Sequence, residues 1–116
     1  MDLSDCRDAC TQTHLICDQT AVHALVKGEE HPRDLVRTLW DCSDICVAAA
    51  NILNRGSPLL LHMTACRACA EICEACADAC SGRDDPILRA CVEACRDCAR
   101  QCREMATHPG HRHNAA

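Results

Sequence analysis

The sequence predicts an all-α fold: an antiparallel up-down-up-down four-helix bundle with a cysteine-lined core. Three observations lead there. Glycine–proline breaks divide the chain into four segments, and each segment carries an inward stripe at steps of three and four residues. The connections between segments are short, which makes consecutive helices antiparallel neighbours.

The breaks pair Gly28 with Pro32, Gly56 with Pro58 and Gly82 with Pro86. Glycine ends a helix at little cost because it tolerates the left-handed backbone of the closing residue. Proline suits the first helical turn, where its missing N–H would have no partner. Ser57 and Asp85 stand before two of the prolines, and their side-chain oxygens can accept from the free N–H groups of the next turn. His31, before Pro32, is a poorer cap. Helices are therefore expected over 3–27, 32–54, 58–81 and 86–106. Residues 1–106 form the bundle, and 107–116 form a His-containing C-terminal tail.

The third segment shows the stripe most clearly. Its cysteines are Cys66, Cys69, Cys73, Cys76 and Cys80, at alternating steps of three and four, the seam of an inward-facing bundle helix. The fourth repeats it with Cys91, Cys95, Cys98 and Cys102, followed by Met105. The first carries Cys6, Cys10 and Cys17, with Thr13 at the missing step. In the second, Leu35, Leu39, Cys42, Cys46, Ala49 and Leu53 make the seam. Charged residues such as Arg67, Glu71, Asp78, Arg96 and Arg100 fall on the opposite faces, which meet water.

Composition limits the function. Fourteen of 116 residues are cysteine, a proportion of about 12%, whereas roughly 8–10% already marks a specialised chain. Phe and Tyr are absent and Trp40 is the one tryptophan, so large rings do not fill the core. A buried thiol behaves as a small hydrophobe and can take that place. The formal charge of −5 disfavours nucleic acid, whose recognition depends on Lys and Arg displacing counterions from phosphate. No stretch has the length and apolarity of a membrane span, and the start Met1-Asp2-Leu3-Ser4-Asp5 lacks the basic and apolar runs of an export signal. A cytoplasmic location is expected, where thiols stay reduced and dense cysteine reads first as metal binding.

Cysteines three or four apart on a helix have Cβ atoms about 5–6 Å apart. Two metal–sulfur bonds of about 2.3 Å in a line span about 4.6 Å, so one ion can bridge such a pair. Cys-x-x-x-Cys occurs at 6/10, 42/46, 69/73, 76/80, 91/95 and 98/102. Soft thiolate and thioether donors select Cu(I), and each Cu(I) offsets the charge of one buried thiolate. Multiple Cu(I) ions per chain are the expected cargo. Zinc or iron–sulfur binding and thiol redox activity are the alternatives. An iron–sulfur cluster takes about four cysteines and leaves most of these unexplained, and a reactive redox cysteine favours a helix N-terminus. No Ser/His/Asp grouping or phosphate loop suggests an enzyme.

Four segments bearing ladders such as Cys66-x-x-Cys69-x-x-x-Cys73-x-x-Cys76-x-x-x-Cys80 resemble the bacterial copper storage proteins. The resemblance covers nearly the whole chain and is densest on the third and fourth helices. It implies storage of many Cu(I) ions by core cysteines in a four-helix bundle, a homotetramer, and, without an export signal, a cytosolic role.

Antiparallel order gathers His62 and Met105 at one end of the bundle, with His108 and His111 of the tail close by in sequence and His113 a weaker candidate. Imidazole and thioether hold Cu(I) less tightly than thiolate, which suits a loading relay. That end is the expected mouth. Leu35, Val36, Leu39, Ile87 and Leu88 should plug the other. His14 and His23 are expected at the surface, and Trp40 at a bundle edge or subunit interface. A copper chaperone of unknown identity is a candidate partner.

Overall fold

The computed structural model describes residues 3–29 and 31–107. Four helices fill it: α1 (Leu3–Lys27), α2 (Pro32–Asn54), α3 (Leu59–Cys80) and α4 (Pro86–Thr107). Each packs on two neighbours, α1 on α2 and α4, and α3 on α2 and α4, giving a rod of 47 × 19 × 17 Å. Contacts between distant residues fix the directions. Cys6 at the start of α1 meets Cys102 near the end of α4, and His23 late in α1 meets Asp85 just before α4. Between α2 and α3, Cys46 faces Cys69 while Cys42 faces Cys73. All four helices thus alternate in direction, as the short connections require.

Left-handed glycines stand at each break, Gly28 with φ 72° and Gly82 with φ 77° among them. At the first, the Gly28 and Glu29 N–H groups both donate to the Ala24 carbonyl, closing the last turn of α1. Asp85 is the N-cap expected of it: its Oδ1 accepts from the N–H groups of Ile87 at 2.9 Å and Leu88 at 3.3 Å. The start of α3 differs from expectation by one residue. Pro58 itself is the N-cap, with ψ at 148°, and its carbonyl accepts from Leu61 and His62. With no N–H to give, the proline ends the extended connection.

Small residues let the helices approach closely. Ala21, Ala24, Ala49, Ala70, Ala77 and Ala99 are buried beside the thiols. The apolar plug forms from Leu35, Val36, Leu39 and Leu88, all buried. Ile87 does not join it and is 45% exposed, because the turn that places Leu88 inward carries its predecessor outward. Trp40 is half-exposed at the bundle edge. His14 and His23, expected at the surface, are half-buried: His14 Nδ1 lies 2.7 Å from Ser43 Oγ, and His23 Nε2 lies 2.8 Å from Asp85 Oδ2. Among the described residues, no helix is long and apolar enough to cross a membrane.

Candidate metal centre

All fourteen cysteines are free thiols, and all are buried. Thirteen show no exposure, and Cys80 shows 1%. Steps of three and four keep each stripe on one helix face, and bundle packing turns the four stripes toward a common axis. The result is a file of sulfur atoms along the rod.

Its layers follow from the distances. Nearest the end where α1 begins, Cys6, Cys66 and Cys102 form a three-thiol group. Next come Cys10, Cys69, Cys98 and Cys102, then Cys46, Cys69, Cys73 and Cys98. Cys17, Cys42, Cys76 and Cys95 follow, and Cys76, Cys80 and Cys91 close the file. Within each group the sulfur atoms all lie within 4.8 Å of one another. Neighbouring groups share Cys102, the pair Cys69 and Cys98, or Cys76. Where none is shared, Cys42 and Cys73 make the join, with Sγ atoms 3.6 Å apart. Every cysteine belongs to at least one group.

The closest contacts run between helices, a feature the spacing along each helix does not reveal. Cys10 Sγ is 3.6 Å from Cys102 Sγ, and Cys46 Sγ is 3.6 Å from Cys73 Sγ. Within helices, Cys69 and Cys73 are 3.8 Å apart and Cys91 and Cys95 are 4.0 Å apart. Thr13 holds the seam position expected of it, buried, with its hydroxyl donating to the Ala94 carbonyl at 3.4 Å. At that step the file gains a packed hydroxyl and no ligand sulfur.

Burial opposes ionisation at all fourteen thiols, since a thiolate loses its hydration there. At Cys17, Cys46, Cys80 and Cys102, hydrogen bonding with neighbouring thiols adds to burial, and both push the thiol well above its ordinary range. Cys42 is lowered instead, because Cys17, Cys46, Cys73 and Cys76 converge on it as hydrogen-bond partners. A metal cation entering the file replaces thiol protons and supplies the positive charge that the interior lacks.

His62 and Met105 lie on the seams of α3 and α4 at the end where α1 begins. His62 precedes Cys66 by one turn, and Met105 follows Cys102 by three residues. Both are buried, His62 at 1% exposure and Met105 at none. His108 and His111, the tail residues proposed as ligands, lie outside the described residues, as does His113.

A four-helix bundle whose interior is a continuous file of free thiols defines a cysteine-based metal-binding protein. The family model described as copper storage protein matches residues 1–107, and the chain belongs to that family. Solved structures agree. An apo copper storage protein 3 from Bacillus subtilis is 33% identical over 90% of this chain and 98% of its own, with a TM-score of 0.80. A cytosolic copper storage protein from Streptomyces lividans, solved with five coppers, is 32% identical over 90% of this chain and 91% of its own, with a TM-score of 0.81. A Cu(I)-bound copper storage protein, BsCsp3, is 34% identical over 90% of this chain and 97% of its own, with a TM-score of 0.80. Comparison with curated protein sequences gives no match.

Proposed function

We propose that this chain sequesters multiple Cu(I) ions in the cytoplasm, on the thiolates of its fourteen core cysteines and without a catalytic cycle. The observation that carries this reading is the continuity of the file: each cysteine lies in a group of three or four sulfurs, and the groups are joined by shared members or by the Cys42–Cys73 contact. Thiolate can bridge two ions, so overlapping groups suit a soft cation of unit charge that fills many adjacent positions. Cysteine-only donors and membership of the family support copper over harder metals. The Cu(I)-bound relative and the five-copper relative add weight.

Cys6, Cys10, Cys17, Cys42, Cys46, Cys66, Cys69, Cys73, Cys76, Cys80, Cys91, Cys95, Cys98 and Cys102 are the storage ligands in this reading. His62 and Met105 pass ions to the layer of Cys6, Cys66 and Cys102, and His108 and His111 collect them from solution. Because His62 and Met105 are buried, loading requires side chains at that end to move aside. The working assembly is a homotetramer that engages neither nucleic acid nor membrane, and sedimentation at micromolar concentration checks its size.

An anaerobic titration of the reduced chain with Cu(I), against a competing chelator, tests the function. Capacity on the order of one ion per thiolate is expected. Saturation at one to four ions would overturn storage.

A further inference from the structure

Cys17, Cys42, Cys76 and Cys95 differ from the other groups in how the fold supplies them. One comes from each helix: Cys17 from α1, Cys42 from α2, Cys76 from α3 and Cys95 from α4. The other two four-sulfur groups each take two ligands from a single helix, and they share both Cys69 and Cys98 with each other. Those two groups cannot each hold a four-coordinate ion on ligands of its own. The layer of Cys17, Cys42, Cys76 and Cys95 can, since its one shared member, Cys76, is shared with a group of three.

The spacing suits a tetrahedral ion. Metal–sulfur bonds of about 2.3 Å in a tetrahedron place the sulfurs about 3.8 Å apart. Cys95 Sγ lies 3.9 Å from Cys17 Sγ and 3.9 Å from Cys42 Sγ, and no pair in the layer exceeds 4.8 Å. Linear two-coordination needs about 4.6 Å, wider than these two contacts. Burial keeps water out of the coordination sphere, as in a closed structural site.

Four thiolates around a divalent ion leave excess negative charge, which a dry interior disfavours unless donors face the sulfurs. A thiol of the adjoining end layer provides one. Cys91 Sγ lies 4.0 Å from Cys95 Sγ. While protonated, Cys91 can donate S–H to the ligand sulfur of Cys95, in the outer-shell role that tunes thiolate metal sites.

We propose that this layer is a tetrahedral site for one thiophilic divalent cation of the zinc class, filled when Cu(I) is scarce, which ties all four helices together. Binding displaces the ligand thiol protons to solvent. Cu(I), preferred by thiolate, displaces the divalent ion as the file fills, and Cys91 then changes from donor to ligand. The site is independent of copper capacity and concerns the copper-free chain.

Cobalt(II) is the probe, because its visible d–d absorption reports tetrahedral thiolate coordination. Reduced, metal-free full-length chain titrated anaerobically should develop that absorption, saturate at one equivalent per chain, and lose it on addition of one equivalent of Zn(II) or an excess of Cu(I). Cys17→Ser and Cys42→Ser should weaken cobalt binding by at least tenfold, and Cys66→Ser, in the end layer, should leave it unchanged. Helicity by circular dichroism and Cu(I) capacity, measured on each variant, establish that the bundle has folded. Absence of tetrahedral absorption in the wild-type chain, saturation at several equivalents, or an unchanged spectrum in folded Cys17→Ser would overturn the site. A chain that takes many Cu(I) ions but no Co(II) would overturn this inference alone. One that takes a single Co(II) but only a few Cu(I) would overturn the storage reading alone.

Discussion

The sulfur atoms of Cys42 on α2 and Cys73 on α3 lie 3.6 Å apart, and through them the file of thiols passes from one half of the bundle to the other. On one side are the groups built on Cys69 and Cys98, and on the other the layer of Cys17, Cys42, Cys76 and Cys95. Replacing Cys73 by serine keeps the volume close to native and removes the bridging ligand. Cu(I) capacity should fall by about one to two ions on the order-of-one-per-thiolate scale, and filling should split into a fast and a slow phase. Stopped-flow loading checks this, and a single phase at the wild-type rate would show that ions cross elsewhere.

Replacing His62 and Met105 with alanine tests the loading route. Loading should slow on the order of tenfold, equivalent to about 1.4 kcal/mol of barrier, while final capacity changes little. Wild-type rates in both variants would remove these residues from the route. A large loss of capacity would make them storage ligands instead.

Without metal, the bundle should already be helical, since protonated cysteine packs as an apolar side chain. Far-ultraviolet circular dichroism of the reduced, chelated chain checks this, and a disordered spectrum would contradict it. The pH dependence has a definite sign. Cys17, Cys46, Cys80 and Cys102 are raised by thiol hydrogen bonding and burial, so the folded chain holds their protons more tightly than the unfolded chain does. Their contribution is fully present below the unfolded thiol value of about 8.5 and is lost as pH rises beyond it toward the folded values. Burial opposes ionisation at the other thiols too, so thermal melts of the apo chain should fall through alkaline pH. A rise would refute the assignment.

Asp85 gives the opposite dependence at the acid end. Hydrogen bonds from His23 and Lys27, then from the Leu88 and Ile87 N–H groups, hold its carboxyl well below the usual carboxylate range. Its stabilisation is present above the unfolded value of about 3.9 and disappears as pH falls toward the folded one. Asp85→Asn keeps a capping oxygen but removes the charge, whereas Asp85→Ala removes both, so the alanine variant should melt lower, by roughly 5 °C relative to wild type. The deficit should narrow as pH falls below 4. A deficit independent of pH would assign the whole effect to the cap.

Much of the fold is legible in local chemistry. Glycine, proline and Asp85 mark the breaks, and the three-and-four stepping assigns all fourteen cysteines to the interior, where the structure places them. Other features depend on the rotation of one helix against another, which spacing along a single helix does not contain. The contact of Cys10 with Cys102 is one, and the meeting of His23 and Lys27 with Asp85 is another. Both join residues far apart in the chain. Ile87 lies outside the plug for a related reason: it is apolar and adjacent to Leu88, but one residue of helix is a rotation of about 100°, enough to move a side chain from plug to surface.

Leu35, Leu39 and Leu88 seal the end of the bundle beyond Cys80 and Cys91, and this has a consequence for the order of traffic. In the storage reading proposed above, with ions entering from the His62 end, a file of overlapping sites behaves as a stack. Whatever soft ion travels deepest arrives first and leaves last. Withdrawal therefore samples the most recent arrivals, and the oldest cargo turns over slowly without any ligand binding it more tightly.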